Sequence, residues 1–408
     1  MFDPRRSLPR RSFLRWGAAA TASVMLWPAR SWGETDTPMI TTDRWRRQMV
    51  RFPEKTDLIL LTDRPPQLET PLKYFQKDLT PNDAFFVRWH EAGIPTRVDT
   101  QTFRLNVGGH VGKALALSLD DLRKNFEAVS LVAVAQCSGN SRAYFEPRVP
   151  GGQWANGAVG NAKWTGVRLR DLLEAAGVQP GAVDVTFQGL DLPPMPDTPI
   201  FAKSLSAAHA MDGEVMVAYA MNDADLPMLN GFPLRLVVPG WYATYWVKSL
   251  AHITVLNEPF KGFWMDKAYR IPTTPDAIES PDHLATDTVP INKQSVRAMF
   301  VVPEKEQDLS LGETLPMQGV AFDYGSGIAK VEIGLDGGKS WVDAKLEAEI
   351  SKYSFRRWRY DWKPAAAGQY AVQCKATNRD GQTQVTSQWN RSGYQRNVIQ
   401  QVNVTVSA

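Results

Sequence analysis

The chain of 408 residues is 43% hydrophobic and 22% charged, which suits an ordered globular protein of two or three domains and excludes a disordered or fibrous one. Its formal charge of +3 is concentrated at the start, where residues 1–33 carry six arginines (Arg5, Arg6, Arg10, Arg11, Arg15, Arg30) against one acid, Asp3. The remainder is slightly acidic, so a nucleic-acid partner loses its support.

In chain order, the first element is "PRRSFLRWGAAATASVMLWPARSWG": a basic head, an apolar stretch from Trp16 to Trp27, and small residues Ser31 and Gly33. This predicts an export signal over 1–33, cleaved after Gly33, because so short an apolar run cannot cross a bilayer that needs about 20 residues. Arg10-Arg11 followed by Ser12-Phe13-Leu14 resembles a twin-arginine signal, an address for export to the periplasm rather than an anchor. No later segment is apolar over about 18 residues, so no membrane span is expected.

Residues 34–67, rich in charge and proline, predict an extended arm. From about Thr70 to Ala285, strand patterns ("FRLNVGG", "VAVAQC", "VDVTFQGL", "PLRLVVPG") alternate irregularly with helical ones ("SLDDLRKNF", "RLRDLLEAAGV"), which predicts a mixed α+β domain. A turn-rich linker, "ESPDHLATDTVPINKQ", follows. Beyond it, about seven alternating segments from "VRAMFVV" to "NVIQQVNVTV" predict an all-β, immunoglobulin-like sandwich. The two cysteines, Cys137 and Cys374, fall in different domains, so no disulfide is expected and Cys374 reads as an inert strand residue.

Several chemistries are excluded. The chain has no Cys-x-x-Cys-His, so no covalent haem is expected on it, and two cysteines cannot hold a conventional iron–sulfur cluster. Its five histidines lack zinc-ligand spacing, and there is no phosphate loop or nucleophile elbow. What remains is Cys137 at the end of an apolar run, opening into Ser138-Gly139-Asn140-Ser141-Arg142. Around it stand cations beside other strand ends: Arg88 and His90, Arg235 and Lys248, and Tyr269-Arg270. From the residues alone, Cys137 is either a ligand, a nucleophile or a small buried side chain.

The segments "FFVRWH", "AQCSGNSR", "GGQWANGAVGNAKWTGVRLRDLL", "GFPLRLVVPG", "WVK" and "KAYRIP" resemble, in order, the signature segments of the sulfite oxidase family of molybdenum enzymes. The likeness extends over most of residues 70–408, and it is greatest to the bacterial periplasmic branch that works with a separate c-type cytochrome. The resemblance implies three regions: the signal at 1–33, a molybdopterin-binding catalytic domain at 34–285, and an immunoglobulin-like domain at 286–408. It implies a molybdenum–molybdopterin cofactor with Cys137 as the protein's metal ligand. The implied substrate-site residues are Arg88, Arg142, Tyr269, His90 and, with a spacing in "WNRSG" one residue off the family's pattern, Arg391. The implied cofactor contacts are Arg88, Trp89, His90, Cys137, Asp191, Asn230, Arg235, Trp246, Val247 and Lys248; Asn230 stands where animal relatives have histidine. The expected reaction is oxidation of sulfite to sulfate, with electrons passed to a c-type cytochrome, either a subunit of a heterodimer or a soluble partner. Two rival readings are a periplasmic methionine sulfoxide reductase, which generally lacks the second domain and the arginine cluster, and a cofactor-free binding protein.

Overall fold

The computed structural model describes residues 40–42 and 45–408; the signal assigned to 1–33 lies outside them. The described residues pack as one compact unit.

The first domain is built on two five-stranded sheets. In one, Val129–Gln136 pairs antiparallel with Val159–Arg168, which pairs in turn with Met216–Met221. In the other, Asp184–Gly189 lies beside Leu250–Leu256, and the latter runs parallel to Leu105–Gly109. Short helices close the layers. Leu119–Asn125 begins with a capping box in which Ser118 and Asp121 satisfy each other's exposed amides. Leu169–Ala176 buries Leu169, Leu172, Leu173 and Ala176 along one face and ends on Gly177 with φ of 68°, a left-handed cap that glycine adopts without strain. The outcome is the expected α+β fold, with far more sheet than helix.

The segment expected to be an extended arm is ordered as sheet instead. Met49–Arg51, Asp57–Asp63, Pro66–Glu69 and Val87–Arg88 form a four-stranded sheet, and Arg64-Pro65 is the turn of a hairpin. Its charges and prolines obscure the buried set Leu58, Leu68, Val87 and Trp89, which form a small core of their own. This sheet places Arg88 at its edge and carries Trp89 and His90 just beyond.

The second domain is the expected sandwich, with a four-stranded sheet facing a five-stranded one. Alternate residues enter its core: Phe300, Met317, Val331, Ile333, Trp358, Val372 and Val404. Cys374 sits among them, free and fully buried, and burial pushes its thiol well up, so it is inert as expected. The two domains share an apolar seam in which Leu72, Phe75, Val134 and Val159 meet Met299, Val320, Phe322 and Phe355. The strand that leads to Cys137 therefore packs on the second domain through Val134. Among the described residues no helix is long and apolar enough to cross a membrane.

Candidate active site

Cys137 follows directly on the strand Val129–Gln136, whose last four residues are buried. Its amide donates to the Ala158 carbonyl at 2.9 Å, so the sheet ladder fixes the cysteine's backbone. The chain then turns tightly: the Asn140 amide donates to the Cys137 carbonyl (3.0 Å) and the Arg142 amide to the Gly139 carbonyl (3.0 Å). Ser141 takes a left-handed φ of 69°, supported by its amide bond to Ala155 (2.7 Å) and its hydroxyl bond to Asn156 Oδ1 (2.5 Å). The glycine in "CSGNSR" is required by packing, because a Cβ on Gly139 would lie 2.6–2.7 Å from the Arg142 guanidinium.

Two cavities meet at this cysteine. An inner one with about 20 Å³ of free space is lined by His90, Ser138, Asn230, Arg235, Thr244 and Lys248 among others. An outer cleft with about 290 Å³ of free space is lined by Gly139, Arg142, Trp154, Arg270, Arg391 and Tyr394 among others. Arg88, Cys137 and Tyr269 line both, so these three side chains form the junction. Neither cavity has a carboxylate in its lining.

The inner cavity is built to hold a polar group. Arg235 is buried with only its Nη1 bonded, to the Asn230 carbonyl at 3.0 Å, and it lies 5.2 Å from the Trp164 ring. Burial lowers it to about 9. Desolvation also lowers Lys248 to about 7, with Arg235 adding to the effect and Asp191 opposing it. Four cavity-lining atoms have no partner among the described residues: His90 Nδ1, Ser138 Oγ, Thr244 Oγ1 and Arg235 Nε. Unpaired buried polar atoms are costly, so such a set, with two buried cations beside it, indicates a bound polar group of negative charge. Among the described residues no cluster of three His, Cys, Asp or Glu could hold a metal. A metal beside Cys137 therefore needs further ligands from a cofactor, and a dithiolene pterin with its phosphate fits this donor set.

At the junction His90 and Tyr269 share a hydrogen bond. His90 stacks on Phe201 at 3.7 Å, and desolvation, helped by Arg88, Lys248 and Lys203, holds it well below the ordinary histidine range, so the ring is neutral. Tyr269 takes a left-handed φ of 58°, and burial pushes its phenol up, so it remains a donor. Arg142 is buried and directs its two terminal nitrogens to the Gly152 and Ser392 carbonyls, both at 3.2 Å.

Other predicted residues stand differently. Trp89, Asp191, Trp246 and Val247 line neither cavity and form the wall behind: Trp89 backs Lys248, with the ammonium 4.7 Å from its ring, and Trp246 backs Arg235. Asn230 does line the inner cavity, but its amide is occupied by Lys55 and by the Phe86 carbonyl at 3.1 Å. Arg391 lines the outer cleft, with its Nε and Nη2 engaged by Glu279 (2.6–3.1 Å) and Nη2 also by the Ala285 carbonyl at 2.6 Å. Glu279 has a nearly inaccessible side chain that requires a cation, and Arg391 supplies it.

Sequence reasoning missed Ser138, Thr244, Tyr394 and two buried lysines. Lys55 donates to the Asn82 carbonyl at 2.7 Å, and Lys203 to the Trp264 carbonyl at 2.7 Å with Tyr245 and Tyr269 rings 4.5 and 5.3 Å away. Burial lowers Lys203 to about 7 from 10.5. Between those values the unfolded chain holds the extra proton, so stability rises with pH across that window. Lys203→Met removes the titrating group and is expected to shallow that rise. Thermal unfolding followed at both ends of the window checks it.

The likeness to known proteins agrees with this architecture. Residues 91–264 match the oxidoreductase molybdopterin binding domain, and residues 288–407 match the Mo-co oxidoreductase dimerisation domain. The chain thus has the two-domain make-up of a molybdopterin oxidoreductase. It is 33% identical to the mitochondrial sulfite oxidase of Homo sapiens over 386 residues, covering 90% of this chain and 68% of the relative. It is 32% identical to the sulfite oxidase of Arabidopsis thaliana over 286 residues, covering 67% of this chain and 72% of that one. The chain belongs to the sulfite oxidase family of molybdenum enzymes. Its fold also superposes on the sulfane dehydrogenase SoxCD of Paracoccus pantotrophus with a TM-score of 0.71 at 22% identity, covering 96% of this chain and 97% of that one.

Proposed function

We propose that the protein is a sulfite dehydrogenase of the periplasm, exported by its leader, that oxidises sulfite to sulfate and passes the electrons to a c-type cytochrome. The observation that carries this reading is the junction itself, where one thiol, one arginine and one tyrosine are shared by an inner cavity lined by Arg235 and Lys248 and an outer cleft lined by Arg142, Arg270 and Arg391. The bound molybdenum cofactor supplies the oxygen-atom and two-electron chemistry.

The chain's own residues divide the remaining work. Cys137 supplies a soft thiolate ligand on a backbone fixed by the sheet. Arg235 and Lys248, with the unpaired hydroxyls of Ser138 and Thr244, hold the pterin and its phosphate. In the cleft, Arg88 and Arg142 present planar forks suited to a small oxyanion, and the lack of carboxylates there leaves their charge uncancelled. Tyr269 orients a substrate oxygen through its hydroxyl, and neutral His90 fixes that hydroxyl's direction. A c-type cytochrome outside this chain would take the electrons one at a time. The presence of the second domain, matched over 288–407, supports this reading over a methionine sulfoxide reductase.

Metal analysis of protein purified from its native compartment, followed by assays of sulfite-dependent cytochrome c reduction and of sulfoxide reduction, tests the proposal. Stoichiometric molybdenum with turnover of sulfite is expected. Absence of molybdenum, or turnover of sulfoxide alone, overturns it.

A further inference from the structure

Beside Arg391, a second residue of the same strap lines the outer cleft. Residues 388–396 leave the second domain and run along the outer cleft. The Gln395 amide donates to the Ser138 carbonyl at 3.1 Å, and the Ser392 carbonyl accepts from Arg142. Tyr394 is clasped by the wholly buried Asn390, whose amide nitrogen donates to the Tyr394 carbonyl (3.0 Å) and whose oxygen accepts from the Tyr394 amide (3.1 Å). The ring so held lies parallel to Tyr269, within 4° and with centroids 5.3 Å apart. The Arg142 guanidinium carbon is 4.9 Å from its centre.

We propose that Tyr394 is a positioning residue, supplied by the second domain, that holds Tyr269 and Arg142 in place and thereby sets how tightly the cleft binds its oxyanion. Arg142 is tied to the Gly152 and Ser392 carbonyls at 3.2 Å, the long end of the normal range, and the Tyr394 ring adds an orienting attraction for its cation. Tyr269 follows an unfavourable left-handed backbone, and a parallel ring restricts its rotation toward or away from the junction. Arg391 is engaged with Glu279 and the Ala285 carbonyl through its Nε and Nη2, whereas Tyr394 touches both Tyr269 and Arg142. The inference rests on the reading that the cleft takes sulfite.

The test measures sulfate binding to the purified holoenzyme by titration calorimetry, alongside sulfite kinetics. Tyr394→Leu removes the aromatic face and is expected to raise both the sulfate Kd and the sulfite KM about tenfold, with kcat changed less than about threefold. Tyr394→Phe keeps the face and should restore both constants to within about threefold of the parent. If thermal unfolding shows that the leucine variant is not folded, Tyr394→Met fills a similar volume without a ring and serves the same comparison. Sulfate binding by the ring-less variant equal to the parent's overturns the inference, as does a phenylalanine variant as weak as the leucine one. A parent that neither binds sulfate nor oxidises sulfite removes the functional reading and this inference together. A parent that does both, with variants unmoved, removes the inference alone.

Discussion

Cys137→Ser is expected to lose sulfite turnover by more than the roughly 100–1,000-fold that deleting a single transition-state donor costs, while the protein stays folded. A serine oxygen is a harder and far less acidic donor than a thiol, so it cannot replace a thiolate on a metal that prefers sulfur. The exchange is nearly isosteric, and the side chain is only 8% exposed. The backbone of the site is held by Ala158, Asn140 and the turn around Gly139, none of which depends on sulfur. Thermal unfolding should shift little, and far-ultraviolet circular dichroism should match the parent. A serine variant that oxidises sulfite at the parent's rate would exclude Cys137 as a ligand.

Arg88→Gln is expected to raise the sulfite KM by about 10–150-fold, the equivalent of a charge-assisted hydrogen bond of about 1.5–3 kcal/mol. Arg88 is the one cation that lines both cavities, so it faces the point where a substrate meets the thiol-bound centre. Its own protein bond is a single one, to the Trp89 carbonyl at 2.5 Å, which leaves most of its fork for a ligand. Glutamine keeps polarity and some length but removes the charge. Steady-state kinetics with sulfite, and inhibition by sulfate, should weaken in parallel. A KM within about twofold of the parent would assign Arg88 to structure instead.

The two expectations concern different halves of one electrostatic arrangement. The buried cations of the inner cavity destabilise the empty fold, since Arg235 is desolvated and Lys248 is desolvated with Asp191 offsetting only part of the cost. A bound anionic cofactor removes that penalty, so retention of the cofactor and stability of the domain are linked. The cleft cations retain contact with solvent and can exchange substrate and product.

Much of this arrangement is legible in the amino-acid order, and the reason differs from residue to residue. The loop from Cys137 to Arg142 can be read because its determinants are contiguous: a buried strand, a stop, a glycine beneath an arginine. The sandwich is readable from alternation, since inward and outward positions differ at every second residue. The hairpin at 57–69 is hidden, because Asp57, Asp63 and Arg64 are exposed and Glu69 is buried against Arg47, so the charges mask the packing of Leu58 and Leu68. Arg391 matches a pattern to within one residue, but a local pattern does not show that Glu279, over a hundred positions away, holds its charge. Trp89, Trp246 and Val247 belong to signature segments, yet they serve as the wall that backs Lys248 and Arg235.

By itself the sequence determined the order of strands and turns, the two-domain division of texture, and the presence of one thiol at a strand end facing polar residues. These follow from local sterics and from which side chains avoid water, both of which act within a few residues. Only the tertiary structure decided which cations share a cavity without carboxylates, which polar atoms are left unpaired inside it, and that Tyr394 rather than Arg391 lies beside Tyr269 and Arg142. Those outcomes depend on enclosure by segments far apart in the chain, because the strength of a charge and the cost of an unmade hydrogen bond are set by what excludes the solvent around them.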